Sequence, residues 1–323
     1  MHTLRFLLNQ DLQEITDIDP TLTVLRWLRE CADLHGTKEG CAEGDCGACT
    51  VVLGRPTADN RMQYKAVNAC ILFMPALDGC QLLTVEHLKS ADGSLHPVQQ
   101  AMVDQHASQC GFCTPGFVMS LFALHLQGGQ PTRELVCESL AGNLCRCTGY
   151  RPIVDAALSM HDASWREPVL DDAPQTLARL RALQHDEPLV LEYGTRRYAA
   201  PTTVEQLDEL LATDPKATLL AGGTDVGLWV TKQHRDLANV IYVGHVAQLH
   251  GFEENEAELS LGAALTHTQA LPLLERCFPD FGQLLRRFGS LLIRNSSTVG
   301  GNIANGSPIG DSMPVMIALG ARV

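Results

Sequence analysis

Apolar and polar residues alternate at the start of the chain, with Leu4, Phe6 and Leu8 on one side, which is the period of a half-buried strand. Asn9-Gln10-Asp11 follows as a hairpin turn. Thr23 then caps a short helix with Val24, Leu25 and Leu28 on one face. Further strands are predicted over 50–53, 62–67 and 81–85, so residues 1–88 read as mixed β with one helix.

The period changes after residue 90. Pro97 opens a helix that carries Val98, Ala101 and Met102. Thr114-Pro115 opens a second with an apolar stripe of Phe117, Val118, Leu121 and Phe122, ended by Gly128-Gly129. A third helix over 133–140 and a fourth after Pro152 make residues 89–160 a small four-helix unit. Residues 161–188 are rich in Asp, Glu, Pro and Gln, with periodicity only over 177–183, and read as a linker. From Leu189 an α/β domain begins, with strands over 217–220, 240–243 and 259–261 and a helix over 204–211. Ile317-Ala318-Leu319 reads as a helix end, Gly320 as a stop and Ala321-Arg322-Val323 as the start of another strand. The domain 189–323 is therefore expected to be incomplete, and the whole to be an α+β multidomain protein.

Bulk composition narrows the classes. A length of 323 residues exceeds one ordinary core. The formal net charge of −13 argues against a nucleic-acid partner. No apolar run approaches the roughly 20 residues of a membrane span, so no membrane partner is expected. The N-terminus, beginning Met1-His2-Thr3, has too short an apolar run for an export signal, which makes the reducing cytoplasm the expected compartment. There, clustered thiols are more often metal ligands than disulfides.

Eight of the twelve cysteines form two quartets. Cys41, Cys46, Cys49 and Cys70 have the C-x4-C-x2-C…C spacing of a plant-type [2Fe–2S] ligand set. Small residues surround them, and glycine permits the positive φ angles that wrap N–H groups round anionic sulfur. No His interrupts the loop, against a Rieske centre, and a triplet plus one is unusual for structural zinc. Cys110, Cys113, Cys145 and Cys147 form a C-x2-C and a C-x-C pair, the first at a helix N-terminus and the second just before a helix. Alone, this set suits zinc as well as iron. A redox dithiol would leave Cys145 and Cys147 unexplained. The first quartet tips the balance toward a second [2Fe–2S] cluster. Cys31, Cys80, Cys137 and Cys277 read as buried packing thiols, and the twelve histidines carry no assigned chemistry.

Two glycine-rich turns lie in the last domain. Leu219-Leu220-Ala221-Gly222-Gly223-Thr224-Asp225-Val226 follows a strand and exposes N–H groups that suit a pyrophosphate. Alone it is equally a tight strand–helix turn. The run from Asn295 to Asp311 is rich in Gly, Asn and Ser, and two anion-friendly turns suit a dinucleotide such as FAD.

Together, EGDCGACT, QCGFCTPG, GNLCRCTGY, LLAGGTDV and TVGGNIANGSPIGD resemble, in order and over essentially the whole chain, the molybdenum hydroxylase family, in particular the small iron–sulfur/FAD subunits of bacterial xanthine dehydrogenases. The resemblance implies a β-grasp ferredoxin-like domain, a four-helix [2Fe–2S] domain and a flavin domain of the vanillyl-alcohol-oxidase type. It implies that Cys41, Cys46, Cys49 and Cys70 hold the cluster nearer the flavin, and Cys110, Cys113, Cys145 and Cys147 the one nearer molybdenum. By the same resemblance Leu219 to Val226 and Thr298, Val299, Gly300, Gly301 and Asn302 wrap the FAD pyrophosphate. Asp311 lies on its ribitol or phosphate side, Phe288 near the isoalloxazine ring, and Gln109 reaches the molybdopterin of a partner. The implied assembly is a heterotetramer with a large molybdopterin-binding subunit, oxidising hypoxanthine and xanthine with NAD+ as acceptor. Relatives acting on aldehydes, carbon monoxide or N-heterocycles often split these parts among chains. A zinc-stabilised module with no redox role is the reading from another class.

Overall fold

A computed structural model describes residues 3–90 and 92–323, so Met1, His2 and Ala91 lie outside the described residues. Two compact units form, Thr3–Thr16 with Leu22–Gln184, and Asp17–Thr21 with His185–Val323.

The first unit begins with β1 (Leu4–Leu8) and β2 (Asp11–Ile15), antiparallel about the two-residue turn Asn9-Gln10, where Asn9 takes φ +57°. Helix α1 (Val24–Glu30) follows, and the Thr23 hydroxyl accepts from Arg26 N–H as expected of its cap. Strands β3 (Thr50–Pro56), β4 (Met62–Asn68) and β5 (Gln81–Leu83) complete a five-stranded sheet of order β2-β1-β5-β3-β4. Strand β5 runs parallel to β1 and antiparallel to β3. The inward side chains of β1 meet α1, with the rings of Phe6 and Trp27 edge to face at 5.5 Å. This mixed sheet with one packed helix is the β-grasp arrangement of a ferredoxin-like domain.

Four helices follow: α2 (Pro97–Asp104), α3 (Thr114–His125), α4 (Arg133–Leu140) and α5 (Arg151–Ser159). Every residue of α3 from Gly116 to Leu124 is buried, because the helix packs on α2, α4, β3 and β4 together. Full burial of Phe117 and Phe122 contributes about 1.5–3 kcal/mol each. The cap of α3 is Cys113, one residue before the expected Thr114, whose hydroxyl pairs with Ser108 Oγ at 2.7 Å. The 161–188 stretch, read as a linker, holds α6 (Pro168–Asp171) and α7 (Ala173–Leu183) and buries Val169, Thr176 and Leu180. Its many polar residues hid this, because short helices docked on a sheet need only a few apolar anchors.

The second unit pairs β6 (Leu189–Tyr193) with β7 (Arg196–Ala200) and, after α8 (Val204–Thr213), adds β8 (Thr218–Leu220). Helix α9 (Val226–Thr231) leads to β9 (Asn239–Tyr242), and the sheet order is β6-β7-β9-β8 with β7, β9 and β8 parallel. A hairpin of β10 (Phe252–Glu254) and β11 (Leu259–Leu261) precedes α10 (His267–Cys277) and α11 (Pro279–Arg287). Helices α12 (Leu291–Arg294), α13 (Val299–Asn305) and α14 (Ser312–Ala318) close the unit. Ala270, Leu274, Phe281, Leu285, Phe288 and Val299 form the core beneath these helices.

Candidate iron–sulfur and flavin sites

The first quartet is built by the loop between α1 and β3 and by Cys70 just after β4. Cys49 and Cys70 are buried, and Cys41 and Cys46 are half-buried. The backbone turns through positive φ at Ala42, Gly44 and Gly47, which aims amide groups inward. Cys41 Sγ accepts from the N–H groups of Asp45 and Cys46, each at 3.3 Å, and Glu43 at 3.5 Å, while Cys46 Sγ accepts from Cys41 N–H at 3.3 Å. A Cβ on Gly40 would press on Cys46 Sγ at 2.7 Å, so the wrap leaves no room there for a side chain. The Cys46 and Cys70 thiols and the N–H groups hold the Cys41 thiol far below its ordinary range, against the opposing effect of burial.

The second quartet lies at the start of α3 and before α5. Cys145 is buried, Cys110 and Cys147 are exposed, and Cys113 caps α3. Burial, followed by the neighbouring Cys145, pushes the Cys113 thiol up to about 12. For Cys145 burial acts upward too, but the Thr148 hydroxyl at 3.2 Å and nearby N–H groups bring it below its ordinary value. Tyr150, with φ +68°, turns its hydroxyl back to accept from Cys145 N–H at 3.1 Å. Gln109 donates to the Cys147 carbonyl at 3.1 Å, which places it beside this quartet. Phe112, Leu144, Arg146 and Tyr150 share with the four thiols the lining of a surface hollow.

A tetrahedral zinc site holds its four sulfurs about 3.8 Å apart, given Zn–S bonds of about 2.3 Å. Among the described residues, no three thiols come within 4.8 Å of one another. The first set instead forms a chain of contacts, Cys46 to Cys41, Cys41 to Cys70 and Cys70 to Cys49. The second pairs Cys113 with Cys145 and Cys110 with Cys147. Two sets of four clustered thiols with N–H donors to sulfur suit two-iron groups.

The two quartets adjoin. Leu144 N–H donates to the Cys46 carbonyl at 2.9 Å, linking the residue before Cys145 to a member of the other set. Of the remaining cysteines only Cys80 is buried; Cys31 and Cys137 are exposed and Cys277 half-buried, which corrects the expectation that all four are packing thiols.

One group of metal-ligand type escaped the sequence reading: His96, His125 and Glu167 place their ligand atoms within 4.8 Å of one another. Val98 N–H donates to His96 Nδ1 at 3.2 Å, so Nε2 carries the proton and donates to Glu167 Oε2 at 2.8 Å. Trp165 Nε1 donates to the same carboxylate oxygen at 3.2 Å and Val169 N–H to Oε1 at 3.2 Å. The group is a satisfied hydrogen-bond clasp, with no nitrogen of His96 left for a metal.

In the second unit the turn after β8 sits at the carboxyl end of a parallel strand, where open α/β sheets bind ligands. Gly223 has φ +75°, and a Cβ on Gly222 would collide with the Ser296 carbonyl. Among the described residues, the N–H groups of Gly222, Gly223, Thr224 and Asp225 have no protein acceptor. Such a run of half-buried donors fits a pyrophosphate. Burial raises the Asp225 carboxyl above its ordinary value, partly offset by a hydrogen bond with Asn305. The second turn is different. Val299 N–H donates to the Leu265 carbonyl, Gly300 N–H to the Ala263 carbonyl and Gly301 N–H to Thr298 Oγ1. Asn302 Oδ1 accepts from Ser312 Oγ at 2.7 Å. Its donors are spent inside the protein, so this turn backs the first one rather than duplicating it. Phe288 is buried in the helical core, its ring 4.7 Å from that of His267, and Asp311 precedes α14 with its side chain exposed.

Comparison with known proteins agrees with this division of sites. A model for the 2Fe-2S iron-sulfur cluster binding domain matches residues 7–74, one for a [2Fe-2S] binding domain matches 84–158, and one for the FAD binding domain in molybdopterin dehydrogenase matches 192–323. The xanthine dehydrogenase of Drosophila pseudoobscura pseudoobscura is 35% identical over 357 residues, covering 95% of this chain and 27% of that protein. The xanthine dehydrogenase of Emericella nidulans is 33% identical over 371 residues, covering 98% of this chain and 27% of that protein. The chain thus spans about a quarter of the length of these relatives. Quinoline 2-oxidoreductase from Pseudomonas putida 86 is 29% identical with a TM-score of 0.43, covering 56% of this chain and 96% of that one. With two iron–sulfur domains and an FAD domain in this order, the chain belongs to the molybdenum hydroxylase family as an electron-transfer module.

Proposed function

We propose that the chain is the electron-transfer subunit of a bacterial xanthine dehydrogenase. Electrons released at a molybdopterin centre on a large partner subunit, as hypoxanthine and xanthine become urate, would pass along this chain to NAD+. The observation that carries the reading is the junction of two four-thiol sites through Leu144 N–H and the Cys46 carbonyl. When bound, the two [2Fe–2S] clusters supply one-electron chemistry and FAD joins it to two-electron transfer to NAD+.

The protein's own tasks follow from its groups. Cys41, Cys46, Cys49 and Cys70 would hold the cluster on the flavin side, and Cys110, Cys113, Cys145 and Cys147 the one on the molybdenum side. N–H groups of the 41–46 loop stabilise charge on sulfur, which sets the potential of that site. Gln109 stands at the more exposed quartet, where a partner's pterin would dock. Gly222 to Asp225 would cradle the pyrophosphate, between Leu219, Leu220 and Ala221 on one side and Val226 on the other. Thr298 to Asn302 would support that cradle from behind, with Phe288 toward the ring and Asp311 toward the ribitol. The xanthine dehydrogenases among the relatives support the substrate class.

Co-expression with a molybdopterin-binding large subunit tests the reading. The expected result is a stable heterotetramer that forms urate and NADH from xanthine and NAD+, with neither chain sufficient alone. Turnover of aldehydes in place of xanthine, or failure of NAD+ to accept electrons, would contradict it.

A further inference from the structure

The contact between the two quartets is more than adjacency. Asn143, two residues before Cys145, is only 2% exposed and reaches into the loop of the first quartet. Its Nδ2 donates to the Gly47 carbonyl at 3.1 Å and to Thr50 Oγ1 at 3.2 Å, and its Oδ1 accepts from Ser120 Oγ of α3 at 2.7 Å. Thr50 Oγ1 in turn donates to the same Gly47 carbonyl at 2.6 Å. Every polar atom of the amide is used, and its orientation is fixed because an exchanged oxygen would face the Gly47 carbonyl.

Glycine makes this approach feasible. Gly47 lies between Cys46 and Cys49 at φ +66°, and a Cβ there would collide with the Gly142 carbonyl and Asn143. A Cβ on Gly116 would collide with the Gly47 carbonyl, so α3 also lies directly against this loop. Two loops of opposite quartets and the helix that carries Cys113 are thus spliced at one buried point. The Leu144–Cys46 hydrogen bond sits at the edge of that splice.

We infer that Asn143, locked by Ser120, is the positioning residue that sets electronic coupling between the two quartets. The inference rests on the reading that both quartets hold [2Fe–2S] clusters. The step it governs is the transfer of one electron: the cluster on Cys110, Cys113, Cys145 and Cys147 is oxidised and that on Cys41, Cys46, Cys49 and Cys70 is reduced. No proton moves and no covalent bond forms or breaks. Electron transfer is steep in distance, so a device that fixes loop against loop governs its rate without touching either metal. A neutral amide suits the task, since it adds two donors and an acceptor without adding a charge between two anionic groups.

The test uses the full chain, loaded with iron and sulfide, as wild type, Asn143→Ala and Ser120→Ala. Iron is counted, both centres are reduced with dithionite, and paramagnetic resonance records the spin–spin broadening between them. Single-electron re-equilibration between the centres is followed by pulse radiolysis. The expected result is about four irons per chain in all three proteins. The spin–spin broadening weakens in Ser120→Ala and more so in Asn143→Ala. Re-equilibration slows by about tenfold or more in Asn143→Ala, the scale on which loosening a site costs rate. Unchanged broadening and rate in an iron-replete Asn143→Ala protein would overturn the inference. Loss of iron from both variants would overturn it as well, by making the splice a folding element. Wild-type chain that takes zinc and no iron would instead remove the cluster reading itself.

Discussion

At the scale of single residues, two glycines with similar backbone angles separate strain from collision. Gly47 (φ +66°) and Gly111 (φ +82°) both flank candidate cluster cysteines in the left-handed region. A Cβ on Gly111 meets nothing within 4 Å, so Gly111→Ala should cost only the backbone strain of about 1–2 kcal/mol and keep its iron. Gly47→Ala adds collision with the Gly142–Asn143 backbone, and its purified chain should contain well under half the wild-type iron. Metal analysis of the two proteins side by side checks both outcomes. His267 gives a prediction in pH. It is 1% exposed, Nε2 has no partner among the described residues, and burial pushes its pKa down to about 4 from 6.5, aided by the charge of Arg294. The folded state therefore keeps His267 neutral while the unfolded chain takes up a proton. Stability from this group is full above about pH 6.5 and falls by about 3 kcal/mol as pH drops toward 4. Hydrogen exchange at Ser297–Asn302, which the His267 Nδ1–Ser297 contact at 2.8 Å supports, should quicken over that interval. His267→Gln should flatten the dependence.

At the scale of elements, the clasp at Glu167 shows how a polar segment is held. Burial alone would raise this carboxyl, yet His125 and His96 hold it well below the ordinary carboxylate range. Its stabilisation is present above about pH 4.5 and is lost as pH falls below that value. Glu167→Gln should therefore cost about 2 kcal/mol at neutral pH, remove that acid limb and open 161–188 to limited proteolysis. The stretch read as a linker because its anchors are few, Glu167 and the buried Val169, Thr176 and Leu180, and no sequence window contains His96, His125 and Glu167 together. The flavin turn is the converse case. Gly222-Gly223 after a strand read equally as an anion turn or a tight strand–helix turn, and its N–H groups have no protein acceptor among the described residues. The second turn, equally glycine-rich in sequence, spends its N–H groups on Ala263, Leu265 and Thr298, partners that local pattern could not supply. Gly222→Ala should abolish flavin retention and leave the iron content intact, as read from visible spectra and metal analysis.

Across the whole molecule, the sequence carried the plan better than its joints. Up to residue 160 the strands and helices of the first unit fall close to where periodicity places them, with Thr23 and Pro97 marking helix starts in both readings, whereas α6 and α7 went unread. The candidate ligand cysteines stood out in the sequence because spacing within each short motif reflects local wrapping. Asn143 stood inside a quoted motif, but its partners Ser120 and Gly47 lie 23 and 96 residues away, so its role depends on tertiary contact. The second quartet, ambiguous between zinc and iron when read alone, was assigned to iron through the company of the first, and the [2Fe-2S] binding domain match over 84–158 agrees. The central claim is that the two quartets form one coupled electron relay. The most direct measurement is paramagnetic resonance of the dithionite-reduced full chain, combined with an iron count. The account predicts about four irons and two distinct half-integer spin signals per chain, broadened by mutual interaction. A single signal, two signals with no mutual broadening, or a colourless zinc-containing chain would contradict it.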